Sequence, residues 1–189
     1  MDRAAINEAK KPLYRDPVVA LRELRALELS IADLDISPDV RHLRTNELKR
    51  VREYRQAALF CHGMSCRIEQ PVLFAPVEAA DYDFIATWRS DTNIHFAPVQ
   101  LKELVPESLN PRSSIQELVD GLSRYSSDSL TVAVFLNRNS RFSLKELQLP
   151  SLRIAALWFF FAVTPDQSEW RLVGNLMEEP EATLFGYPV

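Results

Sequence analysis

The chain has 189 residues, a formal net charge of -4, two cysteines and a hydrophobic content of 47%. This length and composition predict one domain, or one domain with a helical arm, and argue against widespread disorder. The longest apolar run, residues 155–163, is far shorter than the roughly 20 residues that span a bilayer. No basic and apolar leader pattern opens the sequence, so we expect a cytoplasmic protein with reduced thiols and no membrane contact.

Positive charge is concentrated near the N-terminus. Residues 1–70 hold 13 of the 22 Lys and Arg but 11 of the 26 Asp and Glu. Such asymmetry is typical of a basic face directed at phosphate, although an arginine-rich helix facing solvent explains it equally well. The candidate nucleic-acid-binding residues in this region are Arg44, Lys49, Arg50, Arg52 and Arg55.

The N-terminal part of the chain predicts two helices. Asp16 followed by Pro17 is a helix start signal. The apolar residues beyond it recur at spacings of three and four, as expected for one face of an amphipathic helix: Ala20, Leu24, Leu27, Ile31 and Leu34. A Ser-Pro pair at positions 37–38 repeats the start signal. The second helical stretch is predicted to run to about residue 62, with an interruption near Thr45 and Asn46, and to end at Gly63.

From residue 64 onward the sequence predicts strands separated by short helices. Two capping-box patterns, Ser113 with Gln116 and Ser143 with Glu146, predict helices over 114–125 and from 143 to Pro150. Short apolar runs predict strands at 66–75, 82–88, 97–104, 130–136, 152–163 and 170–176. This order of elements predicts an α/β (α+β) fold, with a mixed central sheet flanked by helices.

Three polar residues stand out on two neighbouring predicted strands. Asp83 opens one strand, and Gln100 and Lys102 end the next. Because side chains alternate along a strand, Gln100 and Lys102 project from one face, and an adjacent strand can place Asp83 beside them. A carboxylate, an amide oxygen and an ammonium group together suit a divalent cation and a water molecule that attacks a phosphodiester.

These residues resemble the Asp, then (Glu or Gln)-x-Lys, signature of the PD-(D/E)XK nucleases, over roughly residues 47–136. The resemblance implies a restriction-endonuclease-like core over residues 37–189, with residues 1–36 as an N-terminal helical arm. It further implies that Asp83 and Gln100 bind Mg²⁺ or Mn²⁺, that Lys102 positions or activates water, and that Glu53 contributes from the helix. The implied activity is hydrolysis of nucleic acid, with DNA the expected substrate.

Alternatives remain open at this point. Glu47 competes with Glu53 for the helix position, and Asp81 and the more distant Glu78 compete with Asp83 for the acid. Gln100 stands where a carboxylate is more usual, which favours a second reading: a catalytically degenerate nuclease-like fold that binds nucleic acid or protein. On that reading the N-terminal helices dock a partner or form a homodimer.

Overall fold

The structure is a computed structural model and describes residues 3–37, 40, 43–77, 79, 81–138 and 143–189. Residue 38, the second residue of the predicted helix start at 37–38, lies outside the described residues. Glu78, the more distant alternative to Asp83, lies outside them as well.

Four α-helices are described. They are α1 (Arg3–Ala9), α2 (Pro17–Ser30), α3 (Lys49–Ile68) and α4 (Ile115–Asp120), and a 3-10 turn, Gly121–Arg124, follows α4. The predicted start of α2 is confirmed, because the Asp16 carboxylate accepts the backbone N–H groups of Val18 and Val19. The capping box of α4 is formed by Ser114 and Glu117, one position beyond the predicted pair.

Seven strands form one mixed sheet in which every strand lies next to its neighbours in sequence. They are β1 (Leu73–Pro76), β2 (Phe84–Ser90), β3 (Asn93–Leu104), β4 (Ser126–Leu136), β5 (Arg153–Ala162), β6 (Glu169–Gly174) and β7 (Glu181–Gly186). Strand β4 is parallel to β3 and to β5, and every other pair is antiparallel. The predicted α+β class, a mixed sheet with helical cover, is therefore confirmed.

Helix α3 runs past Gly63 to Ile68, so the predicted helix end at Gly63 and the predicted strand from residue 66 are wrong. A Cβ atom on Gly63 would lie 2.8 Å from Cε1 of Phe185, which explains the glycine by close packing against β7. The helix ends instead at Glu69, which takes the left-handed conformation at φ 54° and donates its N–H to Ser65.

Two further predictions are corrected. The segment 144–146 forms a turn, and the helix predicted from Ser143 does not appear in the described part of that region. Strand β7, which was not predicted, adds the last strand of the sheet. Its sequence is poor in buried apolar residues, with Phe185 its one buried side chain, so it lacks the apolar alternation that marks a strand.

Both faces of the sheet are covered by apolar side chains. Helices α2 and α3 pack on one face, where the core includes Leu21, Phe60 and Trp170. Helix α4 and the 3-10 turn pack on the other, around Leu122 and Phe159. Burying each such side chain contributes about 1.5–3 kcal/mol. Helix α2 thus contributes to the same core as the sheet. The predicted boundary between an N-terminal helical arm, residues 1–36, and a domain over residues 37–189 stays a prediction. No helix in the described ranges is long and apolar enough to cross a membrane.

Candidate active site

Asp83 and Gln100 meet across neighbouring strands. Phe84 pairs with Val99, so Asp83, which immediately precedes β2, lies opposite Gln100 of β3. The Gln100 amide nitrogen donates to Oδ2 of Asp83, and the backbone N–H of Leu101 donates to the same oxygen at 2.6 Å. Gln100 is 9% exposed. The structure therefore brings together the acid and the amide that the sequence singled out.

Lys102 lies two residues farther along β3, on the same side of the strand as Gln100. Its Nζ atom is 5.4 Å from the centroid of the Tyr125 ring, a cation–π contact. Tyr125 packs against the core on the α4 side of the sheet. The Lys102 ammonium group thus lies beside the Tyr125 ring, two residues along β3 from the Gln100 that contacts Asp83.

Glu53 lines the same cavity as Asp83. This cavity of about 260 Å³ lies beside the N-terminal half of α3, and its walls include Arg50, Tyr54 and Leu101. The Glu53 carboxylate is 29% exposed and lies 3.5 Å from Nζ of Lys49. Glu53 and Asp83 therefore share one cavity, whereas the β3 residue that reaches this cavity is Leu101 and not Gln100 or Lys102.

The competing acids are placed less favourably. Glu47 is exposed and precedes α3, and Asp81 is exposed on the segment before β2. Among the described residues, no group of three or more His, Cys, Asp and Glu side chains is arranged to hold a metal ion. A cation at Asp83 would therefore complete its coordination with other oxygen donors, such as the Gln100 amide, backbone carbonyls or water.

A second polar cluster, which the sequence did not predict, surrounds Glu103 on the opposite side of β3. Its carboxylate accepts hydrogen bonds from Arg44 at 2.7 Å, Asn137 at 2.8 Å and Gln56 at 3.2 Å. The Nε atom of Arg52 lies 3.6 Å from it. Glu103 and Asn137 stand at the carboxyl ends of two parallel strands, which is the sequence signal that could have revealed them.

The cluster around Glu103 forms part of a cleft of about 850 Å³. Four arginines line this cleft: Arg25, Arg44, Arg52 and Arg55. The residues predicted to bind nucleic acid therefore do not form one surface. Arg44, Arg52 and Arg55 line the cleft, whereas Arg50 lines the cavity of Asp83. The Lys49 side chain, at the start of α3, is 62% exposed.

Arg55 is the most enclosed arginine of the cleft, with 13% of its side chain exposed. It donates to Gln167 at 2.7 Å and lies over the rings of Trp170 and Tyr187 at 5.7 and 5.9 Å. Its Nε atom is 3.2 Å from Glu28, an ion-pair distance without hydrogen-bond geometry. These contacts fix the guanidinium group at the wall of the cleft.

Comparison with models of protein families, with curated proteins and with solved structures finds no match for this chain.

Proposed function

We propose that the protein is a metal-dependent nuclease that hydrolyses phosphodiester bonds of nucleic acid, with DNA the expected substrate. The observation that carries the proposal is the contact between Asp83 and Gln100 across β2 and β3. Lys102 follows on the same side of the strand. This combination of acid, amide and ammonium group resembles the signature of the PD-(D/E)XK nucleases.

The order and direction of the central elements support the proposal. Helix α3 is followed by the antiparallel strands β1, β2 and β3, then by α4 and by β4, which is parallel to β3. The resemblance implies a helix, three strands, a helix and a strand in that order. Asp83 stands at the start of the second strand and Gln100 and Lys102 lie on the third, which are the elements the signature requires.

The oxygen donors at this place suit Mg²⁺ or Mn²⁺, which prefer carboxylate and amide oxygens. Both hydrogen bonds described for the Asp83 carboxylate fall on Oδ2, which leaves Oδ1 for a cation. By the resemblance, Asp83 and Gln100 would hold the ion and Glu53 would contribute. Of these residues, Asp83 and Glu53 line the cavity beside α3, whereas Gln100 does not reach it. When bound, the ion would neutralise charge on the scissile phosphate and lower the pKa of a water molecule.

The protein's own cations have complementary tasks in this proposal. Lys102 would orient the attacking water or hold a phosphate oxygen, after exchanging its contact with the Tyr125 ring. Such cation–π contacts contribute only about 0.5–1 kcal/mol at partly exposed sites, so a phosphate can displace one. Arg50, at the wall of the cavity that holds Glu53 and Asp83, would contact the phosphate backbone.

A second candidate function is supported by the same contact. The Gln100 nitrogen, not its oxygen, faces Asp83, so the amide must rotate before it can coordinate a cation. A site held in this state fits a degenerate nuclease-like fold that binds nucleic acid or protein without cleaving. Exposed apolar residues of α2, including Val19, Leu27 and Leu29, would then serve a partner or a second copy of the chain.

The deciding experiment is a cleavage assay on plasmid DNA and on labelled single-stranded DNA and RNA, with Mg²⁺ or Mn²⁺. Asp83→Asn and Lys102→Met should each reduce the rate at least about 100-fold, the usual loss when one charge-stabilising group is removed. Asp128→Asn and Lys145→Met change exposed residues of the same types outside the site and serve as matched controls. If the wild-type protein cleaves nothing and calorimetry detects no bound metal, the nuclease proposal is wrong. The second candidate function, a nuclease-like fold that binds without cleaving, is then favoured.

A further inference from the structure

We propose that the arginine-lined cleft binds a nucleoside phosphate, either free or as the terminal residue of a nucleic-acid strand. The inference does not depend on the proposed cleavage reaction, because the cleft and the cavity of Asp83 lie on different sides of α3. Arg50 and Glu53 face that cavity, whereas Arg52 and Arg55 face the cleft.

The position of the cleft in the sheet is the first argument. Strands β3, β4 and β5 run parallel to one another, so their carboxyl ends meet at one edge. The cleft is lined by residues that follow each of these strands: Pro106 after β3, Asn137 after β4 and Gln167 after β5. In open sheets with parallel strands, ligands commonly bind outside the carboxyl ends of those strands.

The charge of the cleft is the second argument. The whole chain is acidic, with a net charge of -4, yet four arginines line this one cleft. Three carboxylates accompany them: Glu28 and Asp166 in the lining, and Glu103, which pairs with Arg44 and Arg52. Asp166 is engaged locally, since its Oδ1 accepts the N–H and the hydroxyl of Ser168 at 3.1 and 2.8 Å. Guanidinium groups match phosphate oxygens in charge and in geometry.

The rigidity of the arginines is the third argument. Glu103 holds Arg44 at 2.7 Å, and Arg52 donates to the Leu43 carbonyl at 2.7 Å. Arg55 is fixed against Trp170 and Gln167. Because these side chains are already ordered, a phosphate that binds them pays little of the entropy normally lost on fixing long side chains.

The apolar part of the lining indicates an organic ligand rather than an inorganic anion. Ile31, Leu43, Leu109 and Phe135 contribute to the walls. The volume of about 850 Å³ falls within the range of about 300–1,000 Å³ that is typical of small-ligand sites. A nucleoside phosphate combines a charged end for the arginines with a flat apolar body for these side chains.

The test measures binding of a fluorescent N-methylanthraniloyl derivative of ADP by polarisation, in EDTA so that no cleavage interferes. Competitors are ADP, adenosine, pyrophosphate, and one oligonucleotide carrying either a 5′-phosphate or a 5′-hydroxyl. The variants are Arg25→Gln and the double variant Arg25→Gln/Arg52→Gln. Arg153→Gln is the control, because Arg153 is 71% exposed and starts β5 at the opposite edge of the sheet.

We expect saturable binding that the double variant weakens at least about tenfold and the control changes less than about twofold. ADP should compete and adenosine should not. A 5′-phosphorylated oligonucleotide that competes better than ADP identifies a strand end as the ligand, and the reverse identifies a free nucleotide. If thermal unfolding shows that the double variant does not fold, Arg25→Gln decides alone, since its side chain is 46% exposed.

Three results would overturn the proposal. The first is that neither ADP nor either oligonucleotide binds saturably. The second is that the arginine variants and the control bind the probe with equal affinity. The arginines would then serve only as ion-pair partners of Glu28 and Glu103. The third is that pyrophosphate displaces the probe as well as ADP does, because the apolar walls would then contribute nothing to recognition.

Discussion

Asp83 and Gln100 face each other across β2 and β3, and the Gln100 amide donates to the same carboxylate oxygen that accepts the Leu101 N–H. The Asp83 carboxylate therefore links the ends of β2 and β3 by hydrogen bonds and is also the proposed metal ligand. Loss of activity on changing Asp83 has to be separated from loss of stability, and two substitutions can do this.

Asp83→Ala removes both hydrogen bonds and leaves the N–H of Leu101 without its acceptor. We expect the free energy of unfolding to fall by about 2 kcal/mol, the usual cost when a hydrogen bond to a charged group is lost. Asp83→Asn keeps an acceptor oxygen and should cost roughly half as much. Urea unfolding followed by circular dichroism measures both values. Equal losses for the two variants would show that the Leu101 contact contributes nothing.

Gln100→Glu tests whether the place opposite Asp83 can hold a cation. A second carboxylate repels the first and loses the amide donor, so the metal-free variant should be less stable by about 2 kcal/mol. Mg²⁺ at 100 times its dissociation constant would restore about 2.7 kcal/mol. Thermal unfolding with and without Mg²⁺ gives both numbers. Gln70→Glu, on an exposed residue after α3, is the matched control. If Mg²⁺ stabilises both variants equally, the specific site is disproved.

The sequence predicted the central strands well, because their signal is local. The run from Leu130 to Leu136 is apolar and β-branched, and it forms the buried part of β4. The juxtaposition of Asp83 with Gln100 also follows from local information, since β2 and β3 are consecutive antiparallel strands whose register fixes which residues face each other.

What the sequence did not predict depends on contacts between distant residues. Gly63 resembles a helix stop, but α3 continues through it, and the glycine is explained by Phe185 of β7, which packs where a side chain would be. The cleft has the same origin: Arg25, Arg55 and Gln167 come from three separate elements and meet only in the folded chain. Spacing in sequence does not indicate that these three residues meet, and the local signal for the cleft is limited to residues at strand ends such as Asn137.

Glu103→Gln tests whether the half-buried cluster around Glu103 stabilises the fold. The variant keeps the shape of the side chain but removes the negative charge between Arg44 and Arg52. We expect a loss of about 2 kcal/mol, because the side chains of Glu103 and Arg44 are only 12% and 14% exposed.

The control for Glu103→Gln is Asp128→Asn. Asp128 lies 4.0 Å from Arg153 in an exposed pair, with 83% and 71% of the two side chains accessible. Such pairs contribute about 0–1 kcal/mol. Chemical denaturation of both variants compares the two sites directly. Equal losses would mean that the Glu103 cluster is no more stabilising than a surface ion pair.

Arg138 binds the loop that follows β3, and residues of this loop form one wall of the cleft. Its guanidinium donates to the carbonyls of Val105, Asn110 and Ser113 at 3.1, 2.5 and 2.7 Å. Lysine cannot span these acceptors, so Arg138→Lys should speed amide hydrogen exchange in this loop at least about tenfold. Arg112→Lys, at an exposed position in the same loop, is the control. Unchanged exchange in Arg138→Lys would exclude the clamping role.

His62 connects stability to pH. Its Nε2 atom lies 3.0 Å from the Gly186 carbonyl oxygen, and its ring meets Phe185 edge-on at 5.5 Å. Burial of the ring lowers its pKa below the ordinary value of 6.5. The unfolded chain therefore binds a proton at a higher pH than the folded protein does, and falling pH favours unfolding. The contribution of His62 is complete above pH 6.5 and is lost as the pH falls through the pKa of the folded state.

Urea unfolding between pH 7.5 and 5 tests this linkage. The free energy of unfolding of the wild-type protein should fall over this range, and His62→Gln should reduce that fall. Asp166 does not interfere, because hydrogen bonds from Thr164 and Ser168 lower its pKa to about 2. If His62→Gln leaves the slope unchanged, another group is responsible for the acid sensitivity, and the buried ring is not a determinant of stability near neutral pH.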